Sequence, residues 1–160
     1  MKKIIALIIF LSITIVSSSQ TVNQEKKVQQ AIEEFFKGIH KGDLKLFEKT
    51  THKGLKTQTT YTNNKGEKKL VTGSNEDLIK FVKSIKSTDD YFEKILSYTI
   101  HIDGNLASVW TPYEFYNKGK FSHCGVNSFQ LFNNNGNWEI IYLIDTRKRN
   151  GCKAAVKPNK

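Results

Sequence analysis

Between residues 22 and 40, Val28, Ala31, Ile32, Phe35, Phe36 and Ile39 recur at steps of three and four, with Lys26, Lys27, Gln30, Glu33, Glu34 and Lys37 between them. That spacing puts the apolar side chains on one stripe of an α-helix and the charges on the other. Gly42 ends this helix, and Asp43 caps a short second one carrying Leu44, Phe47 and Thr51. The β-branched run at 55–61 predicts a strand, Asn63, Asn64, Lys65 and Gly66 a turn, and 69–72 its continuation. Ser74 then caps a third helix bearing Leu78, Ile79, Phe81, Val82 and Ile85, with Asp77 near its positive end.

Residues 91–102 read as one long strand with Leu96, Tyr98, Ile100 and Ile102 on a single face. Asp103, Gly104 and Asn105 form a hairpin turn into three further strands at 106–116, 121–132 and 138–147. Asn117, Lys118 and Gly119 join the first two of these, and Asn133, Asn134, Asn135 and Gly136 the last two. Helices followed by a mostly antiparallel meander predict an α+β fold, with helices packed on one side of a twisted, curved sheet.

Ahead of the first amphipathic stretch, Lys2 and Lys3 precede an apolar run at 4–16 and then Ser17, Ser18, Ser19 and Gln20. A charged start, a short apolar centre and small residues at the end predict a secretory leader, residues 1–19, cut before Gln20. The apolar run is shorter than the ~20 residues that span a bilayer, so no stable membrane insertion is expected after cleavage. The expectation is an exported protein, periplasmic or secreted, with one domain at 20–150 and a basic, flexible tail at 151–160.

Losing Lys2 and Lys3 lowers the formal charge of +10 by two. The remaining lysines are scattered among carboxylates on helix faces and turns, which argues for a solvated surface and against nucleic acid as a partner. His40, His52, His101 and His123 are far apart and lack metal-ligand spacing, so neither a metal site nor a cofactor is expected. Export permits a disulfide between Cys124 and Cys152 if the chain folds back at Gly151, and strand register decides whether the two approach.

This order of elements, with 102–116, 119–127 and 136–147 as its most specific runs, resembles the nuclear transport factor 2-like superfamily. The likeness covers roughly 25–150, and is nearest to an exported bacterial branch labelled lumazine-binding or polyketide-cyclase-like. It implies a cone, with N-terminal helices on a strongly bent sheet, and often a homodimer through the sheet. The superfamily hosts isomerases, dehydratases, hydrolases and non-catalytic binders, so the resemblance informs fold more than chemistry. Its dehydratases use a His–Asp pair, which His123 and Asp145 imitate. Its epoxide hydrolases use Asp-Arg-Asp, of which Asp145 and Arg147 supply only two members.

A two-residue loop at Lys118 and Gly119 pairs Tyr116 with Phe121, Glu114 with His123 and Trp110 with Asn127. The next turn has three readings. A three-residue loop puts Asp145 on the face of His123, whereas two or four residues put it on the other. The catalytic candidates are therefore His123 as acid or base, with Asp145 or Glu114 as its carboxylate. Tyr113 and Asn127 are candidate hydrogen-bonding ligand contacts, Trp110 and Phe129 stacking walls, and Arg147 an anchor for an anionic group. These residues also read simply as cross-strand pairs and core. The leading expectation is a protein that binds a small molecule between helices and concave sheet. The alternatives are an acid–base enzyme of isomerase, dehydratase or cyclase type, and a non-catalytic dimeric module.

Overall fold

The computed structural model describes residues 2–86 and 89–152, with side chains from Val22 onward. The side chains of the expected leader and the tail residues 153–160 lie outside that description. Helices α1 (Lys2–Lys41) and α2 (Leu44–Thr50) lead into strands β1 (Thr51–Thr62) and β2 (Lys68–Ser74). Helix α3 (Asn75–Ser84) precedes β3 (Tyr91–Ile95), β4 (Thr99–Asp103), β5 (Leu106–Asn117), β6 (Lys120–Asn134) and β7 (Asn137–Arg147). The expected caps are present: Leu46 N donates to Asp43 Oδ1 at 3.0 Å, and Ser74 and Asp77 form a reciprocal capping box. Gly42, at φ +63°, turns the chain from α1 into α2 in a conformation open to glycine.

The strands lie in the order β2-β1-β7-β6-β5-β3, with β4 also paired to β5; every pairing is antiparallel except β1 with β7. The α1 stripe of Val28, Ile32, Phe35 and Phe36 packs on Phe47, Leu55, Val109, Phe129, Leu131, Trp138 and Ile140. Phe35 is the hub, with its ring 5.5 Å from that of Phe47 and 6.0 Å from that of Phe129. Each such ring contributes about 1.5–3 kcal/mol of burial. All three helices serve this one sheet face. No helix among the described residues is long and apolar enough to cross a membrane.

The expected long strand at 91–102 is broken. Its two halves pair with β5 on either side of Pro112, which has no N–H to give the ladder. Leu96 N instead donates to Pro112 O at 2.9 Å, and the chain changes phase while it passes. Tyr91, Glu93 and Ile95 face the helices before the break, and Ile100 and Ile102 after it. That phase change carries Glu93 to the concave side.

Candidate functional site

Two bulges decide which polar side chains meet. The loop at Lys118 and Gly119 is indeed two residues, and Tyr116 does pair with Phe121. Ser122 is then extra on β6, so His123 lies opposite Phe115 rather than Glu114, and Ser128 rather than Asn127 lies opposite Trp110. The second loop also spends two residues, Asn135 and Gly136, both at positive φ as a tight hairpin requires. Alone, that would turn Asp145 away from His123. An extra residue on β7, Ile141, restores the phase and sets Asp145 opposite Asn127.

The result is a polar row across four strands: Thr111 on β5, Asn127 on β6, Asp145 on β7 and Thr59 on β1. Thr59 donates to Asp145 Oδ1 at 2.6 Å, while Tyr113 Oη and Arg147 Nε reach Asp145 Oδ2 at 3.1 and 2.9 Å. Asn127 Nδ2 donates to Glu93 Oε1 at 2.7 Å. Tyr113, Asn127 and Asp145 are buried, and Thr111 is fully so, with no hydrogen-bond partner for its Oγ1. An orphan hydroxyl in a buried row is unusual, because such groups cost free energy when left unmatched.

Tyr113 reaches Asp145 only because Gly125 lies beneath it. A Cβ at Gly125 would stand 2.9 Å from Tyr113 Cε1 and would collide with the Thr146 carbonyl. The β6–β7 ladder opens there. Val126 N turns to Thr146 Oγ1 at 3.1 Å, and the freed Thr146 carbonyl accepts from Tyr113 Oη at 3.0 Å. Pairing resumes at Cys124 and Lys148. Just beyond, Cys124 and Cys152 form a disulfide, with Cα atoms 5.8 Å apart, that ties the segment following β7 to β6.

Burial dominates the electrostatics. Part of Glu93 still touches solvent, but its carboxylate is largely withdrawn from water, and the Asp145 charge adds to the effect. Its pKa rises from 4.5 to about 7, against the opposing hydrogen bond from Asn127. Desolvation, with help from Asp145 and Glu93, holds the Tyr113 phenol well above its ordinary range, and so protonated. Burial and then Arg147 push His123 below its ordinary value. His40 is also lowered by burial, and its Nε2 accepts the Glu93 N–H at 2.9 Å.

Several sequence expectations need correction on this geometry. Glu114 points to the opposite face, where it takes the Tyr116 hydroxyl at 2.8 Å and lies 3.8 Å from Lys94. Trp110 is 52 % exposed on that same outer face and lines no concave pocket. Phe129 is fully buried between Phe35 and Phe36. His123 and Asp145 do share a face, but Tyr113 lies between them: its ring is edge-on to His123 at 5.8 Å while its hydroxyl holds Asp145. His123 stacks on Phe115 at 4.8 Å, with Ser122 Oγ 3.2 Å from Nδ1. Arg147 is committed to Asp145, with a longer contact to Thr59. The sequence reading missed Glu93, and with it Thr59 and Thr111 of the polar row. Two open depressions elsewhere, about 270 Å³ beside Phe92 and Tyr116 and about 330 Å³ beside Trp138 and Lys49, hold no part of this cluster.

No protein-family model matches the chain. No curated protein matches it either. Solved structures do. An NTF2-like protein from Cytophaga hutchinsonii aligns at TM-score 0.63 and 17% identity, covering 78% of this chain and 98% of its own. An NTF2-like protein with a cystatin-like fold from Novosphingobium aromaticivorans aligns at 0.65 and 9% identity, covering 86% and 90%. A provisionally assigned dehydratase of the NTF2-like family from Streptomyces avermitilis aligns at 0.59 and 12% identity, covering 80% and 98%. At such identities the likeness speaks to architecture. The chain has the α+β fold of these NTF2-like proteins, three helices packed on a curved, mostly antiparallel sheet.

Proposed function

We propose that this is an exported protein that binds a small molecule at the polar and aromatic end of its concave sheet face. The observation that carries the reading is Glu93: a largely desolvated carboxylate, held by one neutral amide, beside the partly exposed rings of Tyr91 and Phe115. A buried carboxylate without a counter-ion costs stability, and such groups concentrate at functional sites. The remaining polar atoms, in Asp145, Tyr113, Thr59 and Arg147, are mutually satisfied and form the rigid floor. Export rests on the pattern of residues 1–19.

One observation favours a second reading, acid–base catalysis: a carboxyl with a pKa of about 7 exchanges protons readily at neutral pH. In that reading Glu93, rather than a bonded His123–Asp145 pair, moves the proton. Native mass spectrometry of protein exported with its own leader tests the binding proposal. The expected result is a stoichiometric non-covalent adduct that leaves on denaturation. An empty protein whose melting no small-molecule library shifts would sink it.

A further inference from the structure

Asp145 and Glu93 stand on one face, yet only Asp145 has a counter-ion. Arg147 pairs with Asp145 at 2.9 Å, whereas Glu93 takes the neutral amide of Asn127. Among the described residues, no lysine, arginine or histidine forms an ion pair with Glu93. Lys94, its neighbour in sequence, serves Glu114 on the outer face. His40 offers Glu93 only an acceptor nitrogen, at its backbone. Arg147 is spent on Asp145 and acts on Glu93 only at longer range, so ionised Glu93 is short of a positive partner among the described residues.

A file of rings runs beside that carboxylate. Phe81 of α3 lies 6.2 Å from Tyr91, Tyr91 stacks at 6.3 Å on Phe115, and Phe115 stacks at 4.8 Å on His123. Phe115 is the direct cross-strand partner of Glu93. Deeper in the same face, the orphan Thr111 hydroxyl lies across the ladder from Asn127, the residue that holds Glu93. A carboxylate without an ion pair, rings beside it and an unsatisfied hydroxyl across from the Asn127 that holds it, all among the described residues, together describe a recognition site.

We infer that this end of the concave face binds a small organic monocation, an ammonium carried on an apolar or aromatic body, with Glu93 as its counter-ion. The inference rests on the small-molecule reading and names the ligand's class. A cation gains from Glu93 by charge, and its apolar body packs on the exposed parts of the Tyr91 and Phe115 rings. An anion would bring a third negative charge toward two carboxylates, with Arg147 already taken by Asp145 and Arg149 lying toward His123 rather than paired with Glu93. A neutral ligand leaves the deficit in place. Binding also draws the proton off Glu93, whose carboxyl is about half protonated near pH 7, so affinity rises with pH. His123 and His40 are held below their ordinary values, Tyr113 stays protonated, and Arg147 stays charged, its pKa raised by Asp145 against burial.

The test is calorimetric titration of the disulfide-intact chain with benzylamine, benzyl alcohol and benzoate, three probes of one shape and different charge. Benzylamine is expected to bind at the concave face and about tenfold more tightly at pH 8 than at pH 6, the ratio of ionised Glu93 for a pKa near 7. Glu93→Gln is expected to remove that pH dependence and weaken binding at least tenfold at pH 8. Should that variant not fold, Phe115→Leu is expected to lower benzylamine affinity severalfold while leaving the pH dependence in place. Preferential binding of benzoate, or equal and pH-independent binding of benzyl alcohol, overturns the cation inference and leaves the small-molecule reading standing. No binding of any probe also overturns it, and the mass-spectrometric result then decides the broader reading separately.

Discussion

Replacing Glu93 by Gln should stabilise the protein, and by an amount that depends on pH. Folding moves this carboxyl from an ordinary pKa of 4.5 to about 7, chiefly by desolvation. A raised carboxyl pKa favours the folded state fully below about pH 4.5, and that advantage is lost as pH climbs through about 7. At roughly 1.4 kcal/mol per pKa unit, the ionised side chain costs the folded protein about 3 kcal/mol by pH 9. Gln keeps the carbonyl that Asn127 binds and removes the charge. Urea unfolding of both proteins at pH 5, 7 and 9 reads the difference directly. Little separation is expected at pH 5, and about 3 kcal/mol in favour of the variant at pH 9. His40 and His123, both depressed by burial, weaken the fold as pH falls toward and through their lowered values, but they do so in both proteins and cancel. A difference that stays flat from pH 5 to 9, or a variant less stable at pH 9, would refute the desolvation argument.

Gly125→Ala should cost about 1–3 kcal/mol, because the new methyl has backbone on one side and Tyr113 Cε1 at 2.9 Å on the other. A urea midpoint equal to that of the parent would show that the ladder does not open there. Reducing the Cys124–Cys152 bridge, which closes a sequence separation of 28, should cost roughly 3–4 kcal/mol by the chain-entropy account. Thermal melting with and without a thiol reductant, with Cys152→Ser as the control that no longer responds, checks this; an unchanged melting point on reduction counts against it.

Most of the fold could be read from the chain. The α1 stripe, the caps at Asp43 and Ser74, and the glycines of the hairpin turns act locally, and each leaves a spacing or residue type behind. The site was less legible because a bulge leaves no comparable mark. Nothing about Ser122 or Ile141 announces an extra residue, yet the first takes His123 away from Glu114 and the second puts Asp145 on the face of His123. Glu93 had a usable signal. The apolar positions Tyr91 and Ile95 are odd and Ile100 and Ile102 even, a change of phase opposite a proline in the neighbouring strand. One strand cannot hold both phases against a single core, so a break near Leu96 follows, and with it an inward Glu93.

The disulfide and the polar cluster are set by the same register. The phase that turns Gly125 and Asn127 toward the helices turns Cys124 outward, opposite Glu114 and within reach of a chain end folding back past Lys148. Between Asn127–Asp145 and Cys124–Lys148 the ladder is open, and Tyr113 uses the gap to reach Asp145 and the Thr146 carbonyl. An opening so close to the end of β7 invites fraying, which would carry Arg147 away from Asp145 and leave the floor with two unmatched carboxylates. Backbone bonds between Cys124 and Lys148, at 3.0 and 2.8 Å, and the covalent link at Cys152 close the far side of that opening. The bridge thus holds the last turn of the sheet in the one place where the site has taken hydrogen bonds out of it.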